Sequence, residues 1–240
     1  MQRYFINRSK ITDDLALING NDFHHMKNVM RFNLGDEVVI NTDEGDVYLA
    51  CLEEIQKQQI VLRILEKLPA KPLCYHLDIG LSLIKRDALE LAIKKITELG
   101  VAGIKLLETE RSVIKFNDYD RKKERLTTII KESSEQSERT MMPTLEYCSS
   151  IEQIDVSKYN HLIYGYAREN VKNFKSTLLN IKQGDRTLIL IGPEGGFSLS
   201  DIEKLKRKGF VSVSFGDTIL RAETAAIYAA SVYRLMVGEE

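Results

Sequence analysis

From Leu77 onward, short apolar runs alternate with segments of helical period, and that alternation restricts the fold more than any other feature of the chain. Residues 77–84, 104–108, 161–166, 187–191 and 211–215 read as strands. Residues 87–99, 118–136 and 222–237, with a segment opening at Ser198, read as helices. Strands alternating with helices lie parallel, with helices covering both faces of the sheet, so the expected class is α/β. The helix ends are marked. Ala88, Leu91, Ala92, Ile96 and Leu99 form a stripe that stops at Gly100, a residue suited to the left-handed position after a helix. Ser198 with Asp201, or Ser200 with Glu203, offers a capping box, and Gly209 closes that helix behind the positive charge of Lys204 to Lys208.

The stretch before Leu77 has a different texture. Pro69 and Pro72 hold themselves and their predecessors extended, which predicts a boundary between a domain at 1–70 and another at 73–240. Residues 37–40, 47–51 and 59–65 read as strands, the first two joined by a turn at 43–46. They suggest a small β-barrel, interrupted by one helix at about 22–31 with Asn21 or Asp22 as its cap.

At 240 residues the chain is long enough for a self-supporting core. No apolar run approaches the roughly 20 residues of a membrane span, which predicts a soluble protein. Residues 1–6 contain no apolar signal core, and a cytoplasmic location is expected. Cys51, Cys74 and Cys148 lack Cys-x-x-Cys spacing, so neither disulfides nor a metal site are expected, and all three read as small core residues. A net charge of −1 gives no global attraction to nucleic acid. Basic residues cluster only locally, at Arg3, Arg8 and Lys10, at Lys27 and Arg31, and at 121–125, where a solvated face and an RNA contact both remain open.

The chemistry concentrates in Leu188-Ile-Leu-Ile-Gly-Pro-Glu-Gly-Gly-Phe-Ser198, an apolar strand that empties through glycines into a helix start. Glycine lets a ligand approach the backbone, and α/β sheets bind at the carboxyl ends of their strands. The loop has no Gly-Lys-Ser or Gly-Lys-Thr to hold phosphates and carries Glu194, which repels a triphosphate. A cationic or neutral nucleoside fits better. A dinucleotide enzyme is disfavoured because no Gly-x-Gly-x-x-Gly is followed by an acidic residue about 20 positions later. A second such loop runs from Phe215 through Gly216 to Ala226. Either alone is also an ordinary tight turn; the two together make a pocket.

Gly192–Phe197 and Ile219–Ala225 resemble the signature of the RsmE family, bacterial methyltransferases of 16S rRNA in the knotted SPOUT class. The resemblance extends to His24–Arg31, Lys95–Gly100, Glu110–Ser112 and Glu135–Arg139. It implies a PUA-like RNA-binding β-barrel followed by a SPOUT domain whose trefoil knot surrounds S-adenosylmethionine. It also implies methylation of uridine N3 in 16S rRNA near the decoding centre of the small ribosomal subunit. The cofactor would meet Tyr164, Gly165, Ile191, Gly192, Pro193, Glu194, Gly195, Gly196, Phe215, Gly216, Ile219, Leu220, Glu223, Thr224 and Ala225. Arg111, Arg139 and Arg221 are the catalytic candidates, since guanidinium stabilises the anion formed when N3 loses its proton. Arg3, Arg8, Lys27 and Arg31 are the candidates for RNA contact. No membrane and no metal partner are implied. A catalytically silent RNA-binding or ribosome-assembly protein on the same fold is the alternative.

The C-terminal helix carries two adjoining apolar stripes, Ala225, Ala229, Val232 and Met236 beside Ala226, Ala230, Tyr233 and Val237. Such a helix is buried on two sides, within its own domain or against a partner. The family favours the partner, hence a homodimer through this helix. Two positions depart from the family: Gly165-Tyr-Ala-Arg168 stands where an acidic residue is expected, and Glu138 stands where glycine is usual.

Overall fold

A computed structural model describes residues 1–70, 73–115, 119–166 and 172–238. Pro72, Asp118 and Arg168, named above, lie outside the described residues. The chain divides into two compact units, Met1–Pro72 with Ser134–Met142, and Leu73–Ser133 with Pro143–Glu240. The segment 134–142, which the proline boundary assigns to the second domain, therefore packs with the first.

The first unit is a six-stranded sheet of β1 (Arg3–Ile6), β2 (Ile11–Thr12), β3 (Leu15–Asn19), β4 (Glu37–Thr42), β5 (Val47–Ile55) and β6 (Gln59–Leu68), ordered β1-β4-β5-β6-β3-β2. β1 and β4 pair in parallel and the other described pairs of this sheet are antiparallel. Alternating residues such as Ala16, Ile18, Ile60 and Leu62 turn inward onto one core with Tyr4, Val38 and Ile40. Irregularities at Leu49/Ala50 and Leu52/Glu54 bend the β5–β6 ribbon around it. Helix α1 (Gly20–His24) starts earlier than expected. Gly20, at φ 62, turns the chain directly out of β3, so Asn19 and not Asn21 or Asp22 holds the cap position. A π-helical turn, His25–Met30, follows and stops at Arg31 with φ 55. The segment 134–142 is bound to this unit by the Phe5 amide donating to Glu135 Oε1 (3.2 Å) and by Asn41 Nδ2 donating to the Arg139 carbonyl (2.9 Å).

The second unit is a seven-stranded, wholly parallel sheet. It contains β7 (His76–Ser82), β8 (Gly103–Leu107), β9 (Thr144–Cys148), β10 (His161–Gly165), β11 (Lys172–Asn173), β12 (Arg186–Ile191) and β13 (Val211–Ser214), ordered β11-β13-β10-β12-β7-β8-β9. Its helices are α2 (Arg86–Glu98), α3 (Tyr119–Gln136, whose last three residues count with the first unit), α4 (Phe174–Leu178), α5 (Leu199–Arg207) and α6 (Ala222–Val237). Gly100 at φ 86 and Gly209 at φ 88 end α2 and α5 in the left-handed region, as their positions predict. One face packs Tyr164, Leu188, Leu190, Phe197 and Leu205 together. α6 packs against β7, β12 and α2. Among the described residues no helix is long and apolar enough to cross a membrane.

The structure shows what covers α6 and corrects the reading of the cysteines. On α6, Ala226, Ala229, Ala230 and Tyr233 are buried within this chain, and the Tyr233 hydroxyl donates to Thr187 Oγ1 (3.0 Å). The sheet and α2 thus cover much of both apolar stripes, leaving Tyr228 and Leu235 exposed. Of the cysteines only Cys148 is buried; Cys51 is half-buried and Cys74 exposed, because Cys74 precedes β7 rather than lying in it.

Toward the amino ends of the central strands the sheet holds a buried polar group. Asp78 accepts a hydrogen bond from the Tyr159 hydroxyl and lies 3.2 Å from His76 Nε2, which is 2.9 Å from Arg186 Nη2. Burial pushes the Asp78 carboxyl upward, but the proximity of His76, the hydrogen bond from Tyr159 and the charge of Lys105 outweigh it and hold the pKa below the ordinary value. A depressed folded pKa stabilises the fold above the unfolded value of about 4, and that stability is lost as pH falls through the folded one. Asp78→Asn is therefore expected to cost about 3 kcal/mol at neutral pH and to flatten the acid limb of the stability curve. Urea unfolding from pH 7 down to pH 3 checks both, and wild-type-like acid sensitivity in the variant would contradict the assignment.

Candidate active site

The order β13-β10-β12-β7-β8, all parallel, brings five strand ends to one edge. Their exit loops enclose a cavity of about 820 Å³. Gly192–Phe197 forms its centre, Gly165, Tyr166, Phe215, Gly216 and Ile219–Ala222 one flank, and Lys85 and Arg111 the other.

The glycine loop is fixed from several directions. Its turn closes with the Gly196 amide donating to the Pro193 carbonyl (2.8 Å), Gly196 taking φ 69. Ser198 then caps α5 in a complete capping box with Asp201; the other candidate, Ser200 with Glu203, is not the one used. The Ser198 hydroxyl also donates to Glu110 Oε2 (2.6 Å), and Arg111 Nη1 donates to the Gly195 carbonyl (2.9 Å). The loop after β8 is thereby pinned to the loop after β12. From β7, the Lys85 amide donates to Glu194 Oε1 (3.3 Å).

At Gly165 itself no side chain has room. A β-carbon there would stand 2.5 Å from Cε2 of Phe215, so the ring fills the space of any side chain. Phe215 is held in turn edge-on against Phe174, with centroids 5.0 Å apart.

Of the residues expected at the cofactor, all but two line the cavity. Tyr164 is buried edge-on against Phe197 (5.8 Å), and Thr224 is exposed outside the lining. Alternation explains Tyr164: Gly165 faces Phe215 beside the cavity, so its neighbour points the other way, into the core. Arg111 and Arg221 stand in the wall, Arg221 at the N-cap position of α6. Arg139 belongs to the first unit, where Nε donates to the Met141 carbonyl (2.9 Å). Sequence reasoning missed Lys85. The signal was present, because Lys85 directly follows a predicted strand end.

In the first unit, Lys27 and Arg31 are exposed, Lys27 with its ammonium 5.2 Å from the Phe23 ring centroid. Arg8 Nη1 donates to the Ile11 carbonyl, and Arg3 is half-buried, 3.7 Å from Glu138. Among the described residues no cluster of three or more His, Cys, Asp or Glu could hold a metal ion.

Comparison with known proteins gives two family matches, an RNA methyltransferase domain over residues 70–234 and an RNA methyltransferase PUA domain over 18–65. The chain is 33% identical to ribosomal RNA small subunit methyltransferase E of Bacillus subtilis (strain 168), over 96% of this chain and 95% of that one. It is 34% identical to the protein of the same name in Rickettsia conorii, over 98% and 95% respectively. A structure from Legionella pneumophila with bound S-adenosylmethionine superposes with a TM-score of 0.89 at 26% identity, over 99% of this chain and 98% of that one.

The contact between Gly165 and Phe215 is testable without any ligand. Gly165→Ala is expected to destabilise the protein by about 1–3 kcal/mol through overpacking, and Phe215→Leu to relieve much of that loss. Additive effects in a double-mutant cycle, read by thermal unfolding, would remove the explanation.

Proposed function

This chain belongs to the ribosomal RNA small subunit methyltransferase E family, and on that premise we propose that it methylates N3 of one uridine of 16S rRNA from S-adenosylmethionine, near the decoding centre of the small subunit. The carrying observation is the cavity at the carboxyl ends of β12 and β13. It is built from two glycine turns, is lined by Glu194 and Glu223, and lacks a phosphate-binding lysine motif. Such a site suits a nucleoside bearing a sulfonium cation better than a nucleotide. Bound there, S-adenosylmethionine supplies an electrophilic methyl group.

This chain's residues provide the rest. Backbone groups of Gly192–Gly196 and Ile219–Leu220 hold adenine and ribose, and Ile191, Phe215 and Ala225 cover the ring. For N3 to accept a methyl, its imide proton leaves to water and the freed electron pair forms the new N–C bond, while the sulfur keeps the pair of the broken bond. Arg111 and Arg221 stabilise the charge that appears on the uracil. Domain roles follow the two family matches: the N-terminal unit positions rRNA through Arg8, Lys27 and Arg31, with Arg3 partly withdrawn into its pair with Glu138. Arg139 takes part from the same unit. The family's knot is assigned to the C-terminal sheet, and the protein to the cytoplasm, where its substrate is.

Gly195→Val tests the cofactor site. A β-carbon at 195 meets only the Arg111 stem, at 3.5 Å, so the fold tolerates the change. Calorimetry is expected to find S-adenosylmethionine affinity reduced at least a hundredfold, about 2.7 kcal/mol; unchanged affinity in the folded variant would exclude this placement.

The homodimer is proposed on the face of α6 that its own unit leaves open. Leu235, 71% exposed, is the residue to test, since Ala229 and Tyr233 are buried and their loss would unfold the chain. Light scattering is expected to show a dimer at micromolar concentration and a monomer for Leu235→Glu. A monomeric wild type would end the proposal.

A further inference from the structure

Lys85 is the unassigned group in the cavity. It directly precedes α2 on the exit from β7, and it is exposed, while Leu83 and Ile84 before it are buried. Among the described residues its ammonium enters no ion pair and no hydrogen bond, the one bond at this position being from the backbone amide to Glu194. Arg111 on the same flank already spends one guanidinium nitrogen on the Gly195 carbonyl. Lys85 therefore brings an uncommitted positive charge to the β7–β8 flank, whereas the β10–β13 flank is formed by Gly165, Phe215, Ile219 and Leu220, with Arg221 beyond them at the start of α6. The apolar residues of that second flank suit an adenine ring. A cation has no favourable interaction with the sulfonium and calls for an anion.

Resting on the functional reading above, we propose that Lys85 is a catalytic residue that stabilises the uracil imide anion during methyl transfer, its ammonium facing the negative charge on O2 or O4. The step balances as follows. The N3 proton passes to water, the N3 electron pair forms the bond to the methyl carbon, and the carbon–sulfur pair remains on sulfur as a neutral thioether. Lysine holds the charge while N3 carries its free pair. The same ammonium would also suit the carboxylate of the cofactor's amino-acid tail, and the experiment separates the two.

The test compares wild type, Lys85→Ala and Lys85→Arg, using unmethylated small ribosomal subunits and labelled S-adenosylmethionine across pH 6 to 10, with calorimetry for the cofactor alone. Position 85 is exposed, and the hydrogen bond from its backbone amide to Glu194 survives substitution, so the variants retain the fold. Expected for Lys85→Ala is a fall in kcat of roughly a hundredfold, with cofactor affinity within twofold of wild type. The rising limb of the pH–rate profile moves upward by about one unit, because a neighbouring cation lowers the pKa of the imide it faces. Lys85→Arg recovers most of the rate. Loss of cofactor affinity in step with kcat would assign Lys85 to the cofactor carboxylate and overturn the proposal. So would an unchanged rate and pH profile in an otherwise active system. If wild type methylates no rRNA, the functional reading itself fails and takes this inference with it.

Discussion

Every feature of the candidate site depends on one constraint, the common direction of β13, β10, β12, β7 and β8. Parallel strands release all their loops at the same edge, and the two glycine turns, which follow the non-adjacent strands β12 and β13, meet because the register puts Tyr164 of β10 beside both Leu190 and Ser212. Toward the amino ends lies a different material. There Asp78, His76, Tyr159 and Arg186 group together, and midway along β8 and β9 Lys105 pairs with Glu146. The carboxyl edge keeps backbone and cations available. The sheet separates structural polarity from functional polarity.

Legibility in the sequence followed the strength of the physical signal. The alternation after Leu77, the stops at Gly100 and Gly209 and the Ser198 cap are local effects, written in a few adjacent residues. β1, β2 and β3 were not read, because runs of two to five residues carry too little periodicity and are strands only through their long-range partners β4 and β6. The two stripes on α6 were read correctly as buried, but sequence cannot say what buries them. Thr187 and α2 do much of that, from far along the chain. Lys85 was overlooked although it follows a predicted strand end, because that position singled out no side chain until the fold set it beside Glu194.

The two departures from the family pattern are accommodated differently. Glu138 adopts φ 54, a left-handed conformation that costs a side-chain-bearing residue about 1–2 kcal/mol. It lies in a segment tied to β1 and β4, and its carboxylate meets Arg3. Gly165 is the reverse case. There the unusual residue relieves strain, since the Phe215 ring leaves no room for anything larger. A substitution table would score both as deviations of one kind. Physically one is a tolerated strain and the other a matched pair.

The position of β12 in the sheet also sets a timetable. β7, β8 and β9 lie side by side and can pair as soon as they leave the ribosome. The other edge of β7 waits for β12, with 110 positions separating Arg186 from His76. Contacts of such sequence separation form slowly, and an unpaired central strand is an aggregation hazard while it waits. Both glycine turns are synthesised at or after the end of β12. A nascent chain can therefore hold more than half of its sheet while having no binding site at all, and the pocket comes into being only with the final quarter of the protein.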